Sequence, residues 1–543
     1  MTQDPSMTDL TAILFMLSAG FSLFTFLYSR RRSRSLGDLR GPASSSFWLG
    51  NEADIRYQNE VGDCEFMWMR EYGSAWRRTG CLGTDRLMLA DPKALKHILH
   101  SAGYHYSRTI DKAQFLRMAT GNGIVVAEGQ AHRRQRKVMN PAFSTHQIQS
   151  FLPLFHGTAS KLVQKWKGVI AADPSGQPLV NVVGWFSRAS LDIIGEAGFD
   201  FQFGSLDNLQ NPLVIRSEKQ IIDSTLYPSW YDLIFKETWK YIPGPLLEYV
   251  CHIPTREYRG FRSWLDNVRV FSRGLIKQST DKGDGNDIMS VLLRANGSSN
   301  PKNKMTDDEM VDQIATFLSA GQGTTAKSLT WYFYAIAKHP EAQARIREEI
   351  ALVRARAAGE EFTIAELDSM TYTLATLKES MRLDPIVWNF TRMANRDDIL
   401  PLAFPITTKS GQQITSIPIK KGTPIDISPA VYNRLPDVWG EDANEWNPER
   451  FLDPLRGFKE ASSNIGVFGS LMSFSTGTRG CIGWQFAVLE MQIIILALVE
   501  NFEFSLPPQS EKTKIYRRPS RFMLPVPEGQ EETWMGLHIK SLN

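Results

Sequence analysis

Near the C-terminus, Phe474-Ser475-Thr476-Gly477-Thr478-Arg479-Gly480-Cys481-Ile482-Gly483 restricts the possible folds and chemistries of this chain more than any other segment. One cysteine, Cys481, follows a glycine-rich turn, stands beside Arg479 and opens onto an apolar run, Trp484 to Leu498, that reads as a helix. The free N–H groups and dipole of a helix N-terminus favour an anion, and the arginine adds positive charge, so the sequence predicts a thiol biased towards thiolate. Such a sulfur is a metal ligand or a nucleophile. The bland alternative is a small buried hydrophobe, the usual state of an isolated cysteine.

The spacing from Phe474 through Gly477, Arg479 and Cys481 to Gly483 resembles the haem-binding loop of the cytochrome P450 family. The resemblance implies that Cys481 is the proximal iron ligand of a haem b (iron protoporphyrin IX), and that Phe474 and Arg479 border the ring, with Arg479 meeting a propionate. A thiolate ligand favours O–O cleavage, which suits oxygen activation better than oxygen storage. It also implies the family's fold, mainly α with a smaller β-rich part.

Other segments with the same resemblance occur in the family's order. Glu379-Ser380-Met381-Arg382 matches its ExxR, in which i and i+3 positions on one helix face the same way and can pair. Alone, ExxR is as well read as a solvated surface pair. Trp446-Asn447-Pro448-Glu449-Arg450-Phe451 resembles the segment that adds Arg450, which implies a structural cluster of Glu379, Arg382 and Arg450. His132-Arg133-Arg134-Gln135-Arg136 resembles the helix that crosses the haem edge, and Arg392 matches a further propionate-contacting arginine. His132, Arg136 and Arg392 are therefore expected at the cofactor, because partly desolvated carboxylates need charged donors. A basic helix face in water or against lipid is the alternative for the first two.

Ala320-Gly321-Gln322-Gly323-Thr324-Thr325 lies within a helical pattern from Asp307 to His339 that Pro340 closes, and it looks like the family's distal, oxygen-side helix. Thr324 falls on the family's threonine, but Gly323 occupies the position of its acid. Oxygen insertion consumes protons, so a water-filled gap beside Gly323, with Thr324 and Gln322 orienting the water, is the expected substitute. The bland reading of these small residues is helix packing.

The nineteen residues Leu10 to Tyr28 carry no charge, and at about 1.5 Å each they cover most of the roughly 30 Å hydrocarbon core. Asp4 and Asp9 precede the run and Arg30, Arg31, Arg32 and Arg34 follow it, which puts the N-terminus outside the cytoplasm and the rest inside. A cleaved signal peptide is the alternative, although it calls for basic residues before the run. The expected organisation is a short luminal segment 1–9, a transmembrane anchor 10–28, a hinge 29–46 and a catalytic domain 47–543. Residues Lys277 to Lys304, rich in Gly, Asn and Ser, read as an exposed loop.

A net charge of +3 gives no reason for a nucleic-acid partner. Family topology places a substrate pocket near Tyr104 to Phe115, Tyr227 to Trp239, Phe317 to Ala320 and Ile386 to Asn389. Trp230, Tyr231, Phe235 and Trp239 read either as a lid at the membrane surface or as core aromatics. The resemblance implies an endoplasmic reticulum monooxygenase of fungal microsomal type. It would act on a lipophilic small molecule (terpenoid, sterol, fatty acid or aromatic) with O₂ and electrons from NADPH–cytochrome P450 reductase, cytochrome b5 being a second candidate donor. The rival readings are an O₂-independent isomerase or dehydratase of peroxides, which Gly323 keeps open, and a non-enzymatic haem protein.

Overall fold

The computed structural model describes residues 36–208, 226, 228–253, 256–282, 285–298, 300, 304–356, 361–453, 465–508 and 513–542. The expected anchor, Leu10 to Tyr28, lies outside the described residues. Leu36 and Leu39 are already buried in the body, and the Lys409 ammonium donates to the Gly37 carbonyl at 2.8 Å.

The described chain is mainly helical, with a smaller part in sheets. Its spine is the 31-residue helix Asp307–Ala337, started by a capping box in which Thr306 and Glu309 satisfy each other's backbone N–H groups. Pro340 cannot extend that helix and instead begins the next, Pro340–Arg354. Helix Trp484–Asn501 is apolar on nearly all sides, and such a helix must be covered on all sides. It packs against Leu152–Ala172, Pro340–Arg354 and Asp307–Ala337. Among the described residues it is also the one helix long and apolar enough to cross a bilayer, but most of it is buried in the protein.

A five-stranded sheet runs in the order Ala75–Thr79, Asp85–Leu89, Pro424–Ile427, Phe390–Ala394 and Tyr106–Ser107. Only the second and third strands are parallel. Asp426, in the sheet interior, is gripped by Arg78 and Arg86 at 2.7 and 2.8 Å. A separate hairpin, Ile515–Pro519 with Met523–Pro527, brings its tip, Ser520-Arg521-Phe522, towards the spine helix.

The loop expected over Lys277 to Lys304 is largely helix. One helix continues to Lys282, and Ile288–Ser298 forms another with Ile288, Met289 and Leu292 wholly buried. Three apolar side chains on one face secure this helix despite the Gly and Asn near its end, a tertiary override of local composition.

Glu490, on the Trp484–Asn501 helix, is buried and accepts a hydrogen bond from the Ser190 hydroxyl at 2.7 Å. Burial pushes its carboxyl up to about 8, with Ser190 pulling weakly the other way. The folded protein therefore keeps a proton here that the unfolded chain has lost above its ordinary carboxylate range. The resulting stability is fully present below that range and declines by about 1.4 kcal/mol per pH unit as pH rises towards 8. Glu490→Gln keeps the acceptor and removes the titration. Its Tm should match that of the wild type near pH 5 and exceed it increasingly towards pH 8; a difference that does not change with pH would contradict the assignment.

Candidate active site

The Cys481 loop hangs from a buried ionic cluster. Arg382 donates to both oxygens of Glu379 at 2.7 and 2.8 Å, and Arg450 donates to the same carboxylate at 3.1 Å. Neither Glu379 nor Arg382 has any solvent exposure. The remaining guanidinium N–H groups of Arg382 reach the carbonyls of Asn433, Ala443 and Glu445. The Asn433 side chain then accepts from Met472 N–H at 3.1 Å and donates to the Ser473 hydroxyl at 3.2 Å, at the start of the loop. Breaking a buried pair of this kind by removing one partner costs about 3–5 kcal/mol, because a charge is left uncompensated.

Within the loop, Cys481 N–H donates to the Phe474 carbonyl at 2.9 Å, closing the turn. Gly477 has a φ of +68°, and a Cβ there would lie 2.0 Å from the Leu99 carbonyl oxygen, so only glycine fits. Cys481 faces a cavity of about 540 Å³ enclosed by this loop, the spine helix and the sheet.

Burial pushes the Cys481 thiol up, and the Gly483 N–H and the Arg136 charge only partly offset that. The helix begins at Trp484, three residues beyond the sulfur, and its dipole effect is confined to the first turn.

A group of basic side chains lines the cavity. His132, Arg136, Arg392 and Arg479 all border it, as does Arg108, which no motif marks. Glu128 is the carboxylate among them, paired with Arg108 at 3.2 Å and with Arg479. Arg136 donates to the Gly480 carbonyl at 2.8 Å, and Arg392 to its neighbour Thr391 at 3.0 Å. Burial and then Arg479 pull the Arg108 guanidinium down to about 10; burial and then Arg108 hold Arg392 well below its usual range. His132 is pushed down to about 3 by burial and the four arginines, so it is neutral, with its Nδ1 paired to the Tyr104 hydroxyl at 3.0 Å. The Arg479 Nε is buried without a partner. Four guanidiniums with one carboxylate and an orphaned donor suit a ligand that carries carboxylates, as haem does. On the same cavity, Cys481 supplies a soft sulfur donor.

Thr324 borders the cavity from the spine helix, and its hydroxyl donates to the Ala320 carbonyl at 2.6 Å, leaving its lone pairs to accept. Gln322 and Gly323 are not among the lining residues. The Gln322 side chain is buried, with its amide nitrogen unpartnered. Beside Gly323 the structure places two side chains at the expected water gap: a Cβ there would lie 3.5 Å from Lys327 Nζ and 3.7 Å from the Phe522 ring. The motif gave no warning of Lys327, one turn further along the helix.

All four segments expected to form the substrate pocket contribute to the cavity, including Phe115, Leu233, Phe317 and Val387. The aromatic stretch divides: Trp239 is fully buried in a satellite core, whereas Trp230 and Tyr231 are 60% and 52% exposed.

The family model described as cytochrome P450 matches residues 41–532. Cytochrome P450 monooxygenase claP of Ampulloclitocybe clavipes is 30% identical over 96% of this chain and 97% of its own length. Cytochrome P450 monooxygenase 205 of Postia placenta is 32% identical over 89% and 90%, and ganoderic acid synthetase CYP5150L8 of Ganoderma lucidum is 30% identical over 92% and 94%. With a family match across nearly the whole folded body and fungal relatives aligned end to end, the chain belongs to the cytochrome P450 family and is a haem-dependent monooxygenase.

Proposed function

We propose that this protein is a membrane-anchored monooxygenase that inserts one oxygen atom into a lipophilic substrate, with electrons delivered from NADPH by cytochrome P450 reductase. The observation that carries this reading is the shared cavity, with Cys481 on one wall, Thr324 on another and apolar side chains between them. Haem b would be held by the Cys481 sulfur, with Arg136, Arg392 and Arg479 on its propionates and Arg108 and His132 beside them. So held, it supplies the activation of O₂. Because burial alone favours the thiol, the thiolate depends on a cation at the sulfur.

The protein's own groups supply binding and proton handling. The Thr324 hydroxyl, committed as a donor to Ala320, can accept a proton-bearing water at the cavity wall. Phe317, Ile386 and Val387 provide an apolar surface that excludes bulk water and favours a lipophile.

Membrane association is supported by exposed aromatics on neighbouring elements. The Trp230–Thr238 helix packs on the turn Cys81–Gly83, and the Phe47 ring approaches Gly83. Trp48, Trp230 and Tyr231 on this side are more than half exposed. Together with the apolar run Leu10 to Tyr28, they suit a catalytic body resting on the cytosolic face of the endoplasmic reticulum. Exposed Arg133 and Lys137, on the helix that carries Arg136, provide a basic side for an acidic reductase.

Microsomes carrying this protein and the reductase, given NADPH, ¹⁸O₂ and a pooled lipophile library, should yield products that gain one ¹⁸O atom by mass spectrometry. Products formed equally well without the reductase would contradict the proposal. Gly323→Asp would put a carboxylate one turn from Lys327, where the two would pair. Product formed per NADPH consumed should therefore change; an unaltered ratio would remove position 323 from proton handling.

A further inference from the structure

The hairpin tip presents a cation to the cavity beside the spine helix. Arg521 lines the cavity and has a single hydrogen-bond partner among the described residues, the Ser319 hydroxyl at 3.3 Å. Its guanidinium lies 5.1 Å from the Phe522 ring centroid, and no carboxylate among the described residues lies within 4.0 Å of it. The other cations lining the cavity outside the cofactor group are all matched. Arg78 and Arg86 share Asp426, Arg56 has Glu52, and Lys112 and Lys236 each have an aspartate within 3.8 Å.

The tip is also held in place. The buried Trp388 indole donates to the Ser520 carbonyl at 3.0 Å, and Met523 N–H donates to the Ile386 carbonyl at 2.9 Å. Ser520 N–H closes the turn on the Phe522 carbonyl at 3.2 Å. The tip is thus tied at both ends to the pocket-lining segment that follows the ExxR helix. A planar guanidinium carried on a backbone held in this way, in a largely apolar cavity, suits bidentate contact with a carboxylate, and the backbone has little freedom left to lose on binding. Burial pulls the guanidinium down to about 10, which leaves it charged at neutral pH and in need of an anion. Ser319 lies five residues before Thr324 on the same helix, about 7.5 Å along its axis, so an anion at Arg521 is within the span of one substrate molecule.

We infer that the substrate is a lipophile bearing a carboxylate and that Arg521 binds that carboxylate while the apolar part extends towards Thr324. This inference rests on the monooxygenase reading of the same cavity and adds the substrate's chemical class.

The test uses full-length, haem-loaded protein as wild type, Arg521→Gln and Arg521→Lys. Each is titrated with dodecanoic, abietic and 4-phenylbutanoic acids and with their methyl esters. Binding is read both from the shift in haem absorption and from the rise in Tm. At pH 7 at least one acid should bind the wild type on the order of tenfold more tightly than its ester. Arg521→Gln should erase that preference and Arg521→Lys should keep part of it. Acid and ester behaving alike in all three pairs, or a preference that survives in Arg521→Gln, would overturn the inference. The CO-bound ferrous spectrum of the same samples separates the two claims: an intact thiolate band without acid preference defeats this inference alone. A missing band defeats the haem-thiolate reading, and the Tm comparison still decides for or against Arg521.

Discussion

The Glu379 carboxylate is the interaction on which the rest of the site depends. Two guanidiniums and the Asn447 N–H converge on it in a volume with no solvent, and the same arginines fan out to backbone carbonyls from Asn433 to Glu445. An ion pair buried this deeply offers little net stability over an apolar replacement. Its value here is positional. It fixes Asn433, which holds Met472 and Ser473, which begin the loop that delivers Cys481 to the cavity.

Around the cavity, charge is sorted by wall. The cofactor side carries four arginines against Glu128, a surplus that only an anionic ligand can neutralise without solvent. The sheet side carries arginines already matched by Asp426 and Glu52, so it contributes structure rather than recognition. Apolar side chains from the spine helix and the segment after the ExxR helix line the same cavity. The hairpin tip interrupts that apolar surface with Arg521 and places Phe522 beside Gly323, so the site of the missing acid is bounded by a ring and by Lys327.

Legibility in the sequence followed how locally each feature is encoded. The Cys481 loop, the ExxR turn and the helical pattern closed by Pro340 are contiguous in sequence, and their geometry is short-range, so they could be read directly. The helix Ile288–Ser298 was hidden because tertiary burial of Ile288, Met289 and Leu292 outweighs a composition typical of loops. Arg108 could not be found from a motif, since it joins Glu128 and Arg479 only through folding. Arg521 and Lys327 were missed for the same reason: the hairpin tip meets the spine helix across nearly two hundred residues of chain.

Everything above the Glu379 cluster assumes that the Cys481 sulfur is the ligand it positions. Reduced, CO-bound full-length protein should show the red-shifted absorption band of thiolate-ligated haem, and Cys481→Ser should abolish it while Tm stays near that of the wild type. A band left unchanged by Cys481→Ser would contradict the assignment of this cysteine to the iron.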